Sequence, residues 1–174
     1  MRVTCWSENL TQQKADDMAT TVGLSSDAEI VGGKTFQAVT KEKMFSGADV
    51  VSLHYVLSER SRGIVGAKEL EAMKKWALLV NASRGPLIDS DALLATLERG
   101  EIRGAALDVF DIEPLPLDSP WRKRGYWGRD GHSNLLATPH VGYVDEGLMN
   151  TWYAETAQNV GRWVRGQGIL DRLA

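Results

Sequence analysis

Little in this chain points to disulfides, membranes or nucleic acid. A single cysteine, Cys5, among 174 residues excludes an internal disulfide. It lies in an apolar run and reads as a small buried hydrophobe. No apolar run approaches the roughly 20 residues that span a bilayer, so no membrane association is expected. The lack of a secretory signal pattern makes a reducing, cytoplasmic setting the expectation. Neither sign of charge dominates: 20 Lys and Arg face 23 Asp and Glu, for a net charge of −3. That balance excludes a general pull toward nucleic acid or acidic membranes. No set of metal ligands is expected. The sequence also contains no G-x-G-x-x-G, the turn through which many nucleotide-binding folds approach a pyrophosphate.

What is present is ordinary globular material, 43% hydrophobic and 25% charged, in which short apolar runs alternate with helical patterns. Arg2 to Trp6, Thr35 to Val39, Asp49 to His54, Ala77 to Asn81, Gly104 to Val109 and Leu135 to Thr138 read as strands. Thr11 caps a predicted helix closed by Gly23, and Thr40 caps one or two further turns. Glu69 to Lys75 reads as a short helix. Ser90 to Arg99 reads as another, with Leu93, Leu94 and Leu97 on one face and Gly100 as its stop. Asp145 opens a long helix to about Arg165, ended by Gly166; its stripe of Met149, Tyr153, Ala157, Val160 and Val164 is expected to pack into a core. Strand–helix alternation predicts a parallel α/β sheet with right-handed crossovers. The stretch from Pro114 to Ser133 mixes basic and aromatic residues; a solvated surface loop is expected there rather than a nucleic-acid contact, since the whole chain is acidic.

Ligands of open parallel sheets sit at the carboxyl ends of the strands. Three turns after predicted strands carry chemistry: Asn81-Ala82-Ser83-Arg84-Gly85-Pro86, then Asp108-Val109-Phe110-Asp111-Ile112-Glu113-Pro114, then Thr138-Pro139-His140-Val141-Gly142. They supply an anion clamp, a carboxylate and an imidazole, the parts needed to move a hydride and a proton at a carbonyl.

These segments, together with Asp49 to His54 and Leu70 to Met73, resemble the D-isomer-specific 2-hydroxyacid dehydrogenase family over nearly the whole chain and in consistent order. The resemblance implies an incomplete Rossmann-like, doubly wound parallel sheet with helices on both faces. It implies a partial dinucleotide-binding domain over residues 1–144, and a helix and tail over 145–174 that return to a substrate domain; with little of that domain here to receive them, part of the helix's apolar stripe is expected to be exposed. His140 would give a proton to the carbonyl oxygen of a 2-oxo acid. Glu113 would hold the imidazole and favour its protonated form, and Arg84 would clamp the substrate carboxylate. Hydride would come from NADH or NADPH. Asp108 would take the nicotinamide carboxamide; Tyr55 and Val56 would lie near its ribose; Ala82, Ser83, Arg84, His140 and Gly142 would face the cofactor. The partners implied are a small 2-oxo or 2-hydroxy acid and a second copy of the full-length form, with no nucleic acid and no membrane. A dinucleotide-binding module of corepressor type and an inactive remnant are the alternatives, and the identity of the 2-hydroxy acid stays open.

Two departures from the family pattern matter. Met1 matches an internal position of the family, so its glycine-rich turn, first strand and most of the substrate domain would lie outside this sequence. Half a doubly wound sheet would separate Arg2–Trp6 from Asp49–His54 and leave an unpaired edge, so low stability and weak dinucleotide binding are expected. Second, Ser7 stands where the family carries an acidic residue that accepts from the adenosine ribose, with Glu8 beside it. Serine does not repel a 2′-phosphate, whereas Glu8 would; the choice between NAD and NADP stays open, and relaxed selectivity is the hypothesis that Ser7 motivates. Titrating both reduced cofactors should give affinities within roughly 100-fold, or about 2.7 kcal/mol; a larger preference for NAD would contradict this role of Ser7.

Overall fold

A computed structural model describes residues 1–28 and 32–170; the end of the predicted tail, residues 171–174, lies outside the described residues. The described chain divides into two compact units, Met1–Pro139 and His140–Ala174.

The first unit is built from parallel strands flanked by helices. β1 (Val3–Cys5) is followed by α1 (Gln12–Thr21), β2 (Phe36–Ala38) and α2 (Lys41–Gly47). Then come β3 (Val50–Leu53), α3 (Ala67–Ala72), β4 (Leu78–Asn81), α4 (Ser90–Glu98), β5 (Gly104–Leu107) and β6 (Asn134–Ala137). β1 pairs in parallel with β2 alone, and β3-β4-β5-β6 form a second, four-stranded parallel sheet in simple sequence order. α1, α3 and α4 fill the crossovers β1–β2, β3–β4 and β4–β5, α2 leads from the small sheet to the large one, and residues 108–133 make the crossover from β5 to β6.

The helices begin where their caps dictate. The Thr11 and Thr40 hydroxyls accept the backbone N–H of Lys14 and Lys43 at 3.3 and 3.2 Å, and Asp89 accepts that of Ala92 at 3.0 Å. The core lies over β4 and β5, where Leu79, Ala105 and Leu107 are buried with Leu70, Leu87, Leu93, Leu97 and Phe45. The buried face of α4 runs through Leu93, Thr96 and Leu97 rather than Leu94, because Thr96 is the residue one turn beyond Leu93. The short helix α3 starts and stops earlier than its apolar pattern suggests, since Met73 turns extended and Ala77 already leads into β4. The outer strands are less covered, with Val50 55% and Leu136 63% exposed.

Residues 114–133 are not a simple solvated loop. Trp121 and Trp127 pack against the core, stacked with ring centroids 6.2 Å apart, and Phe110 lies 6.3 Å from Trp121. His132 donates from Nδ1 to the Glu98 carbonyl at 2.6 Å and stacks on Tyr126. The basic residues stay outside; Lys123 pairs with Glu98 at 3.3 Å. The aromatic residues of this stretch serve the core rather than a solvated surface.

The second unit is α5 (Glu146–Val164), its lead-in and the residues after it. Asp145 caps it by accepting the Leu148 N–H at 3.0 Å. Gly166, at φ +66°, ends it, with Gln167 N–H donating to the Arg162 carbonyl at 2.9 Å. The predicted stripe is not core: no residue of α5 is buried, and Tyr153 and Val164 are 70% and 71% exposed. A unit with one helix has no second layer on which to bury an apolar face.

One polar anchor ties α2 to α3. Glu69 accepts the Gly66 N–H at 3.0 Å and pairs with Lys41 at 2.9 Å. Burial opposes its charge, but the Lys41 ammonium and the Gly66 amide outweigh it and hold the Glu69 carboxyl below the usual carboxylate range. A depressed folded-state pKa stabilises above the unfolded value and is lost as pH falls through the folded one. Glu69→Gln should therefore cost about 1 kcal/mol near neutrality, and urea titrations should show that cost shrinking in acid. A cost independent of pH would remove the charge from the explanation.

Candidate active site

The four strands of the larger sheet end flush. Leu53 pairs with Asn81, Asn81 with Leu107, and Leu107 with Ala137, and each is the last residue of its strand. Four chain exits therefore stand in a row along one edge: His54 to Val56, Ala82 to Arg84, Asp108, and Thr138.

The exit from β4 is the most tightly made. Asn81 is 1% exposed. Its Oδ1 accepts the Ser83 N–H at 3.1 Å, and its Nδ2 donates to the Arg84 carbonyl at 2.9 Å. Ser83 donates its hydroxyl to the Tyr55 carbonyl at 3.0 Å, which ties this turn to the exit from β3. Ala82 and Arg84 are exposed, and Arg84 Nη1 donates to the Ser83 carbonyl at 2.7 Å.

The exit from β5 packs against that turn. The Asp108 N–H donates to the Asn81 carbonyl at 3.0 Å. Its carboxylate is buried and accepts from Thr138 Oγ1 at 2.5 Å, while the Thr138 N–H donates to the Leu107 carbonyl at 3.0 Å. The Glu113 carboxylate turns back to accept the Phe110 N–H at 2.8 Å. Ser90 at the start of α4 donates to Asp111. Gly85 is the steric hinge of the arrangement: a Cβ there would collide with the Phe110 carbonyl group and come within 2.6 Å of the Asp111 nitrogen. Only glycine lets the Arg84 turn and the Glu113 loop approach so closely.

Tyr55 is half-buried and stacks on Trp6, centroids 5.9 Å apart and 17° between planes. Its hydroxyl accepts the Glu8 N–H at 3.4 Å. Ser7, partly buried at the end of β1, accepts the Leu10 N–H on its carbonyl at 3.1 Å. Lys41 Nζ lies 5.6 Å over the Trp6 ring. Val56 is 81% exposed. In this way the first unit brings Ser7, Tyr55, Val56, Ala82, Ser83, Arg84, Asp108 and Glu113 onto its carboxyl-end turns.

His140 and Gly142 open the second unit. His140 adopts φ +58°, a left-handed conformation uncommon outside glycine and often kept at functional positions. Its ring stands edge-on to Tyr143 at 6.2 Å, and Tyr143 in turn stacks on Trp152 at 6.2 Å.

Several residues that build this region take roles that the sequence alone does not assign. Thr138, Ser90, Asp111 and Trp6 act through partners far along the chain. Asn81 had one visible signal, a polar residue closing an otherwise apolar strand. Cys5 is half-buried, and burial pushes its thiol up from the ordinary range. Among the described residues no cluster of His, Cys, Asp or Glu could hold a metal, and no helix is long and apolar enough to cross a membrane.

A nicotinamide dinucleotide asks for a fixed acceptor for its carboxamide, hydroxyl or carboxylate groups for its riboses, and apolar surface for a flat ring. The edge carries Asp108 and Val56 beside Tyr55, and the Glu8 N–H that donates to the Tyr55 hydroxyl brings Ser7 and Glu8 next to it.

Comparison with known proteins points the same way. A family model described as D-isomer specific 2-hydroxyacid dehydrogenase, NAD binding domain, matches residues 10–142. Glyoxylate/hydroxypyruvate reductase B of Enterobacter sp. strain 638 is 42% identical over 101 residues, 58% of this chain and 29% of that protein. The solved phosphoglycerate oxidoreductase of Vibrio cholerae o395 is similar with a TM-score of 0.71 at 31% identity, over 95% of this chain and 46% of that one. A D-isomer specific 2-hydroxyacid dehydrogenase of Xanthobacter autotrophicus Py2, solved with NADPH and MES, gives 0.57 at 28% identity over 80% of this chain and 43% of that one. The chain spans less than half the length of each of these proteins.

The close approach at Gly85 makes a direct prediction. Gly85→Ala should destabilise the first unit by at least about 2–3 kcal/mol, read as a lowered urea midpoint, whereas Ala82→Gly at the exposed position of the same turn should cost far less. Equal costs would mean that the loop relaxes freely around the added methyl.

Proposed function

This chain belongs to the D-isomer specific 2-hydroxyacid dehydrogenase family through its NAD binding domain, and from that premise we propose that it carries the cofactor-binding part of an oxidoreductase for small acids. The reaction is oxidation of the CH–OH group of D-2-hydroxy acids or, in reverse, reduction of 2-oxo acids of the glyoxylate or hydroxypyruvate class. The carrying observation is the flush row of strand exits, on which the Arg84 turn, Asp108 and the Glu113 loop are tied together through Asn81 and Gly85.

In this reading Asp108 accepts from the carboxamide of NAD or NADP. Tyr55, Val56, Ala82 and Ser83 line the same end, Gly142 faces the cofactor, and Ser7 serves the adenosine ribose. When bound, the reduced cofactor supplies the hydride. The Arg84 guanidinium, a planar fork of donors, binds the substrate carboxylate and fixes the carbonyl in place. Protonated His140 gives its proton to the carbonyl oxygen; in oxidation, neutral His140 takes the hydroxyl proton. Glu113 accepts from the other imidazole nitrogen, which orients the ring and stabilises its charged form. Residues 1–144 then act as the dinucleotide-binding domain and residues 145–174 as a C-terminal helix and tail. The active assembly is a cytoplasmic homodimer.

The test is reduction of glyoxylate and hydroxypyruvate with NADH or NADPH. His140→Gln should lower turnover by roughly 10²–10⁴-fold while cofactor affinity holds; loss of both together would place His140 in binding rather than proton transfer. The rate of reduction should fall as pH rises, and the rate of oxidation should rise. Glu113→Gln should move the fall in reduction to lower pH, and an unchanged profile would take Glu113 out of the proton chemistry.

A further inference from the structure

Asn81 makes no contact that chemistry at the edge would advertise, yet it is a fully buried amide in an apolar core. Burying an amide costs several kcal/mol in a solvent that cannot hydrogen-bond, so its partners must be worth having. All of them lie at the site. The orientation of the amide is set by the backbone: the Ser83 N–H can only donate and so meets Oδ1, and the Arg84 C=O can only accept and so meets Nδ2. The two bonds close the turn from both sides: one holds the peptide unit that enters Ser83, the other the unit that leaves Arg84, and together they bracket the Ser83–Arg84 pair. The main chain of the same residue accepts the Asp108 N–H. One residue thus references the Arg84 backbone to the strand that also positions Asp108.

We propose that Asn81 is the positioning residue for the Arg84 guanidinium, setting substrate affinity without touching substrate or cofactor. The proposal rests on the reading of Arg84 as the carboxylate clamp. Its logic is geometric. The Arg84 side chain is exposed and long, with its Nη1 resting on the Ser83 carbonyl. Both that carbonyl and the Arg84 Cα move if the Asn81 bonds are lost. Asp108 keeps its bond to Asn81 whatever side chain stands there, because the acceptor is the main-chain oxygen. Side-chain variants of Asn81 should therefore separate acid binding from dinucleotide binding.

Asparagine also offers a test that a void cannot imitate. Asn81→Asp is isosteric and keeps the acceptor for the Ser83 N–H. Its ionised form sets a carboxylate oxygen against the Arg84 carbonyl; its protonated form restores a donor there and so reproduces the amide. The experiment uses the 174-residue chain, with NADH bound and oxamate titrated as a 2-oxo acid analogue across a range of pH, on wild type, Asn81→Ala, Asn81→Asp and Arg84→Gln. The expected result is an oxamate affinity about tenfold weaker in Asn81→Ala, NADH affinity within about twofold, and an Asn81→Asp deficit relative to wild type that closes as pH falls. Asn81→Ala added to Arg84→Gln should cost nothing further, since the group it positions is gone. Equal losses of oxamate and NADH affinity, or an Asn81→Asp deficit that ignores pH, would make Asn81 merely structural and overturn the proposal. Oxamate binding that Arg84→Gln leaves intact, or its absence in wild type, would instead overturn the reading of Arg84, and this proposal with it.

Discussion

The parallel ladder between β4 and β5 sets the geometry of the candidate site. Its register makes Asn81 and Leu107 end together, and the next hydrogen bond, from the Asp108 N–H to the Asn81 carbonyl, carries the alignment one step past the sheet. Antiparallel pairing would place successive exits at opposite edges; parallel pairing places all of them on one. Because the strands are short and covered by Leu87, Leu93 and Leu97, a slip in register would break the burial of β4 and displace every turn that follows.

Two kinds of contact convert that alignment into a rigid site. Polar contacts run outward from buried groups: the Asn81 amide to the Arg84 turn, Asp108 to Thr138, Ser83 to Tyr55. Steric contact closes the gap at Gly85, where two backbones meet without a side chain between them. The first kind sets direction and the second sets distance. The Arg84 turn and the Glu113 loop belong to different crossovers, yet they behave sterically as one body.

Much of this was legible in the sequence because its signals are local. Thr11, Thr40 and Asp145 announce helix starts through their own hydroxyl and carboxylate groups, and each caps the helix it precedes. The strands stand out as apolar runs, and the chemistry-bearing residues stand out because they follow such runs directly. What was not legible depends on partners distant along the chain. Periodicity shows which face of α5 is apolar but not whether anything covers it, and that face is open in its own unit. The mixture of Trp and Arg between Pro114 and Ser133 has the composition of a surface loop; only the proximity of Phe110 and the end of α4 turns it into an aromatic plug. Gly85 looked like part of a motif, and its reason is a backbone met 25 residues later at Phe110.

The lone cysteine gives the molecule a built-in clock. Cys5 sits on β1, half-covered, with its thiol pushed toward the protonated state by burial. Thiolate, not thiol, attacks alkylating reagents. At neutral pH the raised thiol value slows labelling, and the half-covered sulfur reacts from the folded chain as well as when the β1–β2 ribbon parts. With one cysteine in the chain, the labelled population reports that ribbon and nothing else. The rate at which mass is gained therefore follows the surroundings of β1, in a sheet separate from the one that carries the row of strand exits.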